Sequence, residues 1–233
     1  MKTEKLKEGI RYDTSPTKYT KSKMYEFNFS VDILVEEKQE NGSKDQTFLH
    51  YELSEEDKAY FSEEYLPVGM RKEGVKKPDI TAIIEDPIRK KMKWFIYDMK
   101  DTITKIKVAG KLCNQWHEGI EHISKEYLVE KSEYLIDNSI GVITRYWDKD
   151  LLRQEIDIYR ERLNNKNGLL TAKKYLIKAP EYREKIRAAQ NIIDGVYEDY
   201  DEVAGEKKRY TIQYISLDQK TDLLYTAHVD IHL

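Results

Sequence analysis

A chain of 233 residues, 39% of them hydrophobic and 36% charged, has the apolar content for one large folded domain. Forty Lys and Arg nearly balance forty-three Asp and Glu, for a net charge of -3, so overall charge points to no polyanionic partner and any nucleic-acid surface has to come from local clustering. The single cysteine, Cys113, excludes an internal disulfide framework; the lack of any run of eighteen apolar residues or of a signal-peptide core near Met1 makes no membrane partner and a cytoplasmic location the expectation.

Residues 1–22 are polar and aperiodic and are expected to form a flexible arm. From Tyr25 to Val35 the apolar residues alternate with polar ones, the period of a half-buried strand. Asn41-Gly42 then precedes Thr47–Tyr51, which reads as the return strand of an N-terminal hairpin. Ser54, with Asp57 three residues on, resembles a helix start, and the spacing predicts a helix to Tyr65, ending before Pro67. Two apolar strands follow, over 79–85 and 93–99, joined by a basic turn over 86–91.

A helix is predicted over 105–129 from the stripe Val108, Leu112, Trp116, Ile120 and Ile123, with Lys107, Lys111 and Gln115 in an adjacent row four apart. A short strand over 140–144 comes next. Helices over 149–164, 169–178 and 181–198 follow, broken at 164–168 and at Ala179-Pro180, and a closing hairpin is predicted from 210–217 and 223–233. The order is α+β with an α/β core. One domain is expected, with a core over 23–145 and a helical and hairpin extension over 146–233 packed on it.

The chemistry concentrates where Asp79 heads one apolar strand and Asp98-Met99-Lys100 ends the next. Residues two apart on a strand share a face, so Asp98 and Lys100 are neighbours about 6–7 Å apart. Antiparallel pairing of the two strands brings Asp79 beside them. Two carboxylates and an ammonium at a sheet end suit Mg²⁺ or Mn²⁺ and hydrolysis of a phosphodiester, with the lysine orienting or deprotonating the attacking water.

Pro78-Asp79, eighteen intervening residues and Asp98-Met99-Lys100 resemble the signature of the PD-(D/E)XK nuclease superfamily, the restriction-endonuclease-like fold. The wording around both halves is similar to nuclease subunits of modification-dependent restriction systems. The resemblance implies a mixed sheet flanked by helices, built as helix, three strands, helix and strand over roughly 54–144. It implies Asp79 and Asp98 as metal ligands and Lys100 as the catalytic lysine. An acidic residue from the preceding helix, Glu64 or else Glu63, would join the ligands, and Gln115 or Lys111 of the following helix would face the site. The implied activity is Mg²⁺- or Mn²⁺-dependent cutting of DNA, with RNA as the other candidate substrate, in antiviral defence or DNA processing. A homodimer, or a separate NTPase or recognition subunit, is the implied assembly.

Basic clusters flank these residues in the chain, with Lys72, Lys76, Lys77, Arg89, Lys90, Lys107 and Lys111 as the candidate phosphate contacts. His228 and His232 lie about 13 Å apart on a strand, too far to share one ion, and mark a solvent-facing edge. His117 and His122 are read as surface residues and Cys113 as core. No glycine-rich phosphate loop is present, so an intrinsic NTPase is not expected. The alternative function is a nuclease-like fold that has lost activity and acts as a binding or scaffold protein.

Overall fold

The computed structural model describes residues 4–7, 10–12, 18–19, 25–39, 41–62, 78–127, 133–164, 172–201 and 206–233. The N-terminal strands are β1 (Glu4–Lys7), β2 (Ile10–Tyr12), β3 (Lys18–Tyr19), β4 (Tyr25–Phe27), β5 (Val31–Lys38), β6 (Lys44–Tyr51) and β7 (Lys58–Ser62). Then come β8 (Ile80–Asp86), β9 (Lys91–Ile103), α1 (Ile106–Tyr127), β10 (Leu135–Trp147), α2 (Lys149–Asn164) and α3 (Ala172–Asp194). The chain closes with β11 (Val196–Asp201), β12 (Glu206–Ser216), β13 (Asp218–Thr221) and β14 (Leu224–Ile231). Among the described residues no helix is long and apolar enough to cross a membrane.

The strands form two sheets, an α+β arrangement. The larger runs β11-β12-β10-β9-β8-β7-β4-β3 and the smaller β1-β2-β5-β6-β14-β13. β7, β8 and β9 are an antiparallel meander, and β10 lies parallel to β9. A parallel pair needs a crossover, and α1 supplies it by running back across the sheet.

Two apolar cores sandwich the larger sheet. On one face Ile83, Trp94 and Ile96 pack with Leu112, Trp116 and Ile120 of α1, Ile156 of α2 and Ile192 of α3. On the other, Ile80, Ala82, Phe95, Tyr97 and Met99 meet Ile33, Val35, Leu49 and Ile231 of the smaller sheet. All of β8 is therefore buried, both its odd and its even positions, as its near-continuous apolar sequence requires. A polar clamp joins the two sheets. Arg145 of β10 donates from Nε to Asp45 Oδ1 (2.7 Å) and from its guanidinium to Ser43 Oγ (2.7 Å), and stacks 3.9 Å over the Tyr225 ring.

Several expectations are corrected. Within 1–22, the described residues are strands rather than an arm, with β2 paired to β5. Of the helix expected over 54–65, the described part, 54–62, is a turn followed by β7, and 63–65 lie outside the described residues. Ser54 N–H does bond the Asp57 carboxylate, but it caps only that turn. Ala59 and Phe61 are needed in the core between the sheets and Tyr60 in the helical core, an alternation only a strand delivers. The break expected at Ala179-Pro180 is absent: α3 runs through it, Ala179 buried and Pro180 exposed, because packing against α1 and α2 outweighs one missing backbone bond. The helix expected to reach 198 stops at Gly195, whose φ of +70° suits a left-handed cap. The closing hairpin is not a pair either. β12 lies parallel to β10 in the larger sheet, whereas β14 lies parallel to β6 in the smaller.

Asp45 is fully buried, and Arg145 is its only cationic partner among the described residues. Arg145→Ala is expected to lower the unfolding free energy by about 3–5 kcal/mol, because it leaves a buried charge without its counter-ion. The double variant Arg145→Met with Asp45→Leu is expected to lose much less. Urea denaturation of the two checks this, and equal losses would show that the clamp's charge pairing is not what matters.

Candidate functional site

The β8–β9 register sets Ile80 opposite Tyr97, which carries Asp79 to the level of Asp98. Odd residues of β8 and even residues of β9 face the helices, as Ile83 and Trp94 do, so Asp79, Asp98 and Lys100 share the helix-facing side by alternation. The three converge. Asp79 Oδ2 accepts from the Met99 N–H at 2.8 Å and from Lys100 Nζ at 3.1 Å. Lys100 Nζ also reaches Asp98 Oδ1 at 3.4 Å and the Met99 carbonyl at 2.9 Å. Asp98 is fully buried, Lys100 is 20% exposed and Asp79 35% exposed, so the group opens to solvent on the Asp79 side.

Burial drives the Asp98 carboxyl well above the usual range and Asp79 adds to this, while the Lys100 charge opposes it. For Lys100 burial works against the charge, but Asp98, Asp79 and the hydrogen bond to Asp79 outweigh it, and its pKa is raised. Without a bound ion the two carboxylates thus favour the ammonium form of Lys100, which donates to both of them. The second oxygen of Asp98, Oδ2, is buried with no hydrogen-bond partner.

The structure adds a residue that the sequence reasoning did not single out. Val31, Ile33 and Val35 form the inward row of β5, and two residues on, Glu37 continues it. Glu37 Oε2 is buried without a partner. Burial first, then the negative charges of Asp79 and Asp45, push the Glu37 carboxyl up to about 7, with Lys100 and a hydrogen bond from Gln39 pulling the other way. The signal was present in the alternation: a carboxylate at the inward position of an otherwise apolar row. Its cross-strand neighbour Asp45 differs, being satisfied by Gln39 Nε2 (2.8 Å) and by Arg145.

Gln115 is buried on α1. One turn later on the same edge, a Cβ on Gly119 would stand 3.0 Å from Pro78 and 3.1 Å from Ile96. Since α1 runs opposite to β9, Gln115 falls level with Asp98. Lys107 and Lys111 do not face the carboxylates but line a cleft of about 540 Å³ between α1, α3 and β11, with Arg187 and Lys207. Arg89 and Lys90 are separated from the site. They sit in the turn at the other end of the hairpin, about 26 Å from Asp98 at strand rise for Lys90, where Arg89 pairs with Asp86 and Lys90 with Glu133. Glu63, Glu64, Lys72, Lys76 and Lys77 lie outside the described residues.

Other candidates resolve as packing or surface. His117 pairs with Asp199 at 2.9 Å. His228, Asp230 and His232 face solvent while Val229 and Ile231 are buried. Burial pushes the Cys113 thiol up to about 12, which makes it a poor nucleophile.

Two carboxylates, one with a buried oxygen lacking any partner, fit a hard divalent cation, since Mg²⁺ takes one or two carboxylates and keeps several waters. Among the described residues no group of three or more His, Cys, Asp or Glu is placed to hold a metal ion directly. Comparison with protein-family models, with curated proteins and with solved structures finds no match to this chain.

Because Glu37 titrates above the usual carboxylate value when folded, its ionisation costs the folded state. That cost is absent below the unfolded pKa near 4.5, grows as pH rises and is complete above about 7. Glu37→Gln removes it. Allowing for screening at a half-buried position, the variant is expected to melt about 2–4 °C higher than wild type at pH 8, with little or no gain at pH 5. Thermal unfolding at both pH values checks this, and an equal gain at both would show that the charge is not the cause.

Proposed function

We propose that this chain is a cytoplasmic, divalent-metal-dependent nuclease that hydrolyses phosphodiester bonds in DNA. The observation that carries the reading is Asp98: a carboxylate set at a position covered on both faces of the sheet, with one oxygen left without a partner, beside Asp79 and Lys100. A folding role alone would not keep such a group, because an unsatisfied buried carboxylate oxygen is costly. The order β7, β8, β9, α1, β10 supports the same reading, since three strands, a helix and a strand are what the superfamily resemblance implies. The first helix of that pattern is not found among the described residues.

Asp79 and Asp98 would hold Mg²⁺ or Mn²⁺, and when bound the ion acidifies water and offsets charge on the phosphate. Lys100, fixed as an ammonium by the two carboxylates, donates to the attacking water or to a non-bridging phosphate oxygen and stabilises the negative charge that develops there. Gln115 offers an amide at the same level. Lys107 and Lys111, on the exposed flank of α1, serve the phosphate backbone. A second reading has its own observation. The Lys100 ion pairs with both Asp79 and Asp98 balance part of their charge with no metal, as a binding protein descended from a nuclease would require.

Plasmid and single-stranded DNA, with an RNA of matched length, are to be incubated with Mg²⁺ or Mn²⁺ and wild type, Asp98→Ala or Lys100→Ala. Cutting that EDTA abolishes is expected, falling at least about 10²-fold in each variant. No cutting, together with no Mn²⁺ binding by calorimetry, would favour the binding-protein reading. Separately, Lys107→Ala with Lys111→Ala is expected to lower the salt slope of DNA affinity by about 2 while leaving Mn²⁺ affinity unchanged. An unchanged slope would remove both lysines from the interface.

A further inference from the structure

We propose that the cavity between the first residues of β9, β10 and β12 and the last turns of α1 binds a small lactam, a flat ring whose edge sets a carbonyl acceptor beside an N–H donor, and that Trp94 and Asn138 hold that edge. Trp94 lies four residues before Asp98 on β9, about 13 Å away at strand rise, so the cavity is separate from the acidic group. The inference goes beyond the nuclease reading and does not depend on it.

A buried indole N–H ordinarily finds an acceptor. Trp116, also fully buried, gives its own to the Gly141 carbonyl at 3.2 Å. Trp94 is 1% exposed, yet its Nε1 has no acceptor among the described residues. Opposite it in the β9–β10 register stands Asn138, whose Oδ1 is buried and has no donor. Both side chains face α1 by alternation, since Trp94 belongs to the helical core, as do Ile136 and Ile140 on either side of Asn138. Two residues before the Ile140–Ile212 pair, the same row continues to Tyr210 of β12. Trp94 and Asn138 line one cavity of about 270 Å³, walled by Ile120 of α1, Ile136 and Tyr210.

The unsatisfied groups define the ligand. An indole N–H requires an acceptor, and the Asn138 oxygen on the next strand requires a donor. A lactam edge offers C=O and N–H side by side, one for each. A carboxylate or phosphate would satisfy the indole but set a second acceptor against the Asn138 oxygen. A hydrocarbon ring would satisfy neither. The walls at Ile120 and Ile136 are apolar and bury the faces of a flat ring, as small-molecule sites commonly do. Such an edge occurs both in free compounds and in the bases of a nucleic acid.

The test uses the full chain, ¹⁵N-labelled and in EDTA. Its three tryptophans give three indole N–H signals, and Trp94→Phe, which keeps an aromatic ring, assigns the one from Trp94. Uracil is expected to move the Trp94 signal saturably and to leave the Trp116 signal, whose N–H is already bonded, in place. The uracil analogue methylated at both ring nitrogens keeps the ring but has no donor. Asn138→Leu keeps the side-chain size but has no acceptor. Each is expected to weaken binding about 10-fold or more. An unmoved Trp94 signal at millimolar uracil would overturn the proposal. Equal binding of the methylated analogue would also overturn it, and that comparison needs no variant to fold. Single-stranded oligothymidylate separates the two sources: a Trp94 shift with it as well as with uracil supports a base within a strand, and a shift with uracil alone supports a free compound.

Discussion

The central strand β9 is covered on both faces, by α1 on one side and by the smaller sheet on the other, and most of the molecule's organisation follows from that constraint. A doubly covered strand has no wet side, so Met92 and Trp94–Met99 are all buried, and any charge within it must find its compensation inside the protein. Asp98 is that charge. The lysine two residues on, at the point where the strand begins to meet solvent, is the nearest compensation available, and Asp79 enters from the start of the neighbouring strand. One oxygen still has nothing to bond.

The second sheet is more than a cover. Its contact with the first is part apolar, through Ile33, Val35 and Leu49 against Phe95, Tyr97 and Met99, and part ionic, through Asp45 and Arg145. The ionic part sits at the same end of the hairpin as Glu37. Across β5 and β6, Glu37 and Asp45 are direct neighbours with opposite fates, one satisfied by an arginine and an amide, the other left with a buried oxygen and a raised pKa. Two like-charged inward residues at adjacent positions would be hard to keep for stability's sake. One of them being neutralised is what makes the other tolerable.

Where local pattern and fold disagreed, the requirements of the core decided. The Ser54–Asp57 signal is real as a hydrogen bond yet leads into a strand, because β8 needs a neighbour and Ala59, Tyr60 and Phe61 supply both cores by alternation. Pro180 does not end α3, because a helix packed on α1 and α2 tolerates a missing bond on its exposed side. The sequence placed the basic cluster at 86–91 near the site by proximity along the chain. In space a hairpin's turn is the point farthest from its open end, and Arg89 and Lys90 are bound up in ion pairs there.

The amino-acid sequence by itself determined the elements with strong periods and the chemistry at their ends: the β5–β6 hairpin about Asn41-Gly42, the β8–β9 pair, α1 with its Leu112–Trp116–Ile120 stripe, and the meeting of Asp79, Asp98 and Lys100. These are readable because period, spacing and antiparallel register are local properties. Tertiary structure alone decided that β12 pairs with β10 while β14 joins β6, that burial and two carboxylates favour the ammonium form of Lys100, and that a carboxylate ends the inward row of β5 at Glu37 with a buried, unpartnered oxygen. Each of these depends on which surfaces bury one another across long stretches of chain, and on the exclusion of water that follows. No local pattern of residues encodes that.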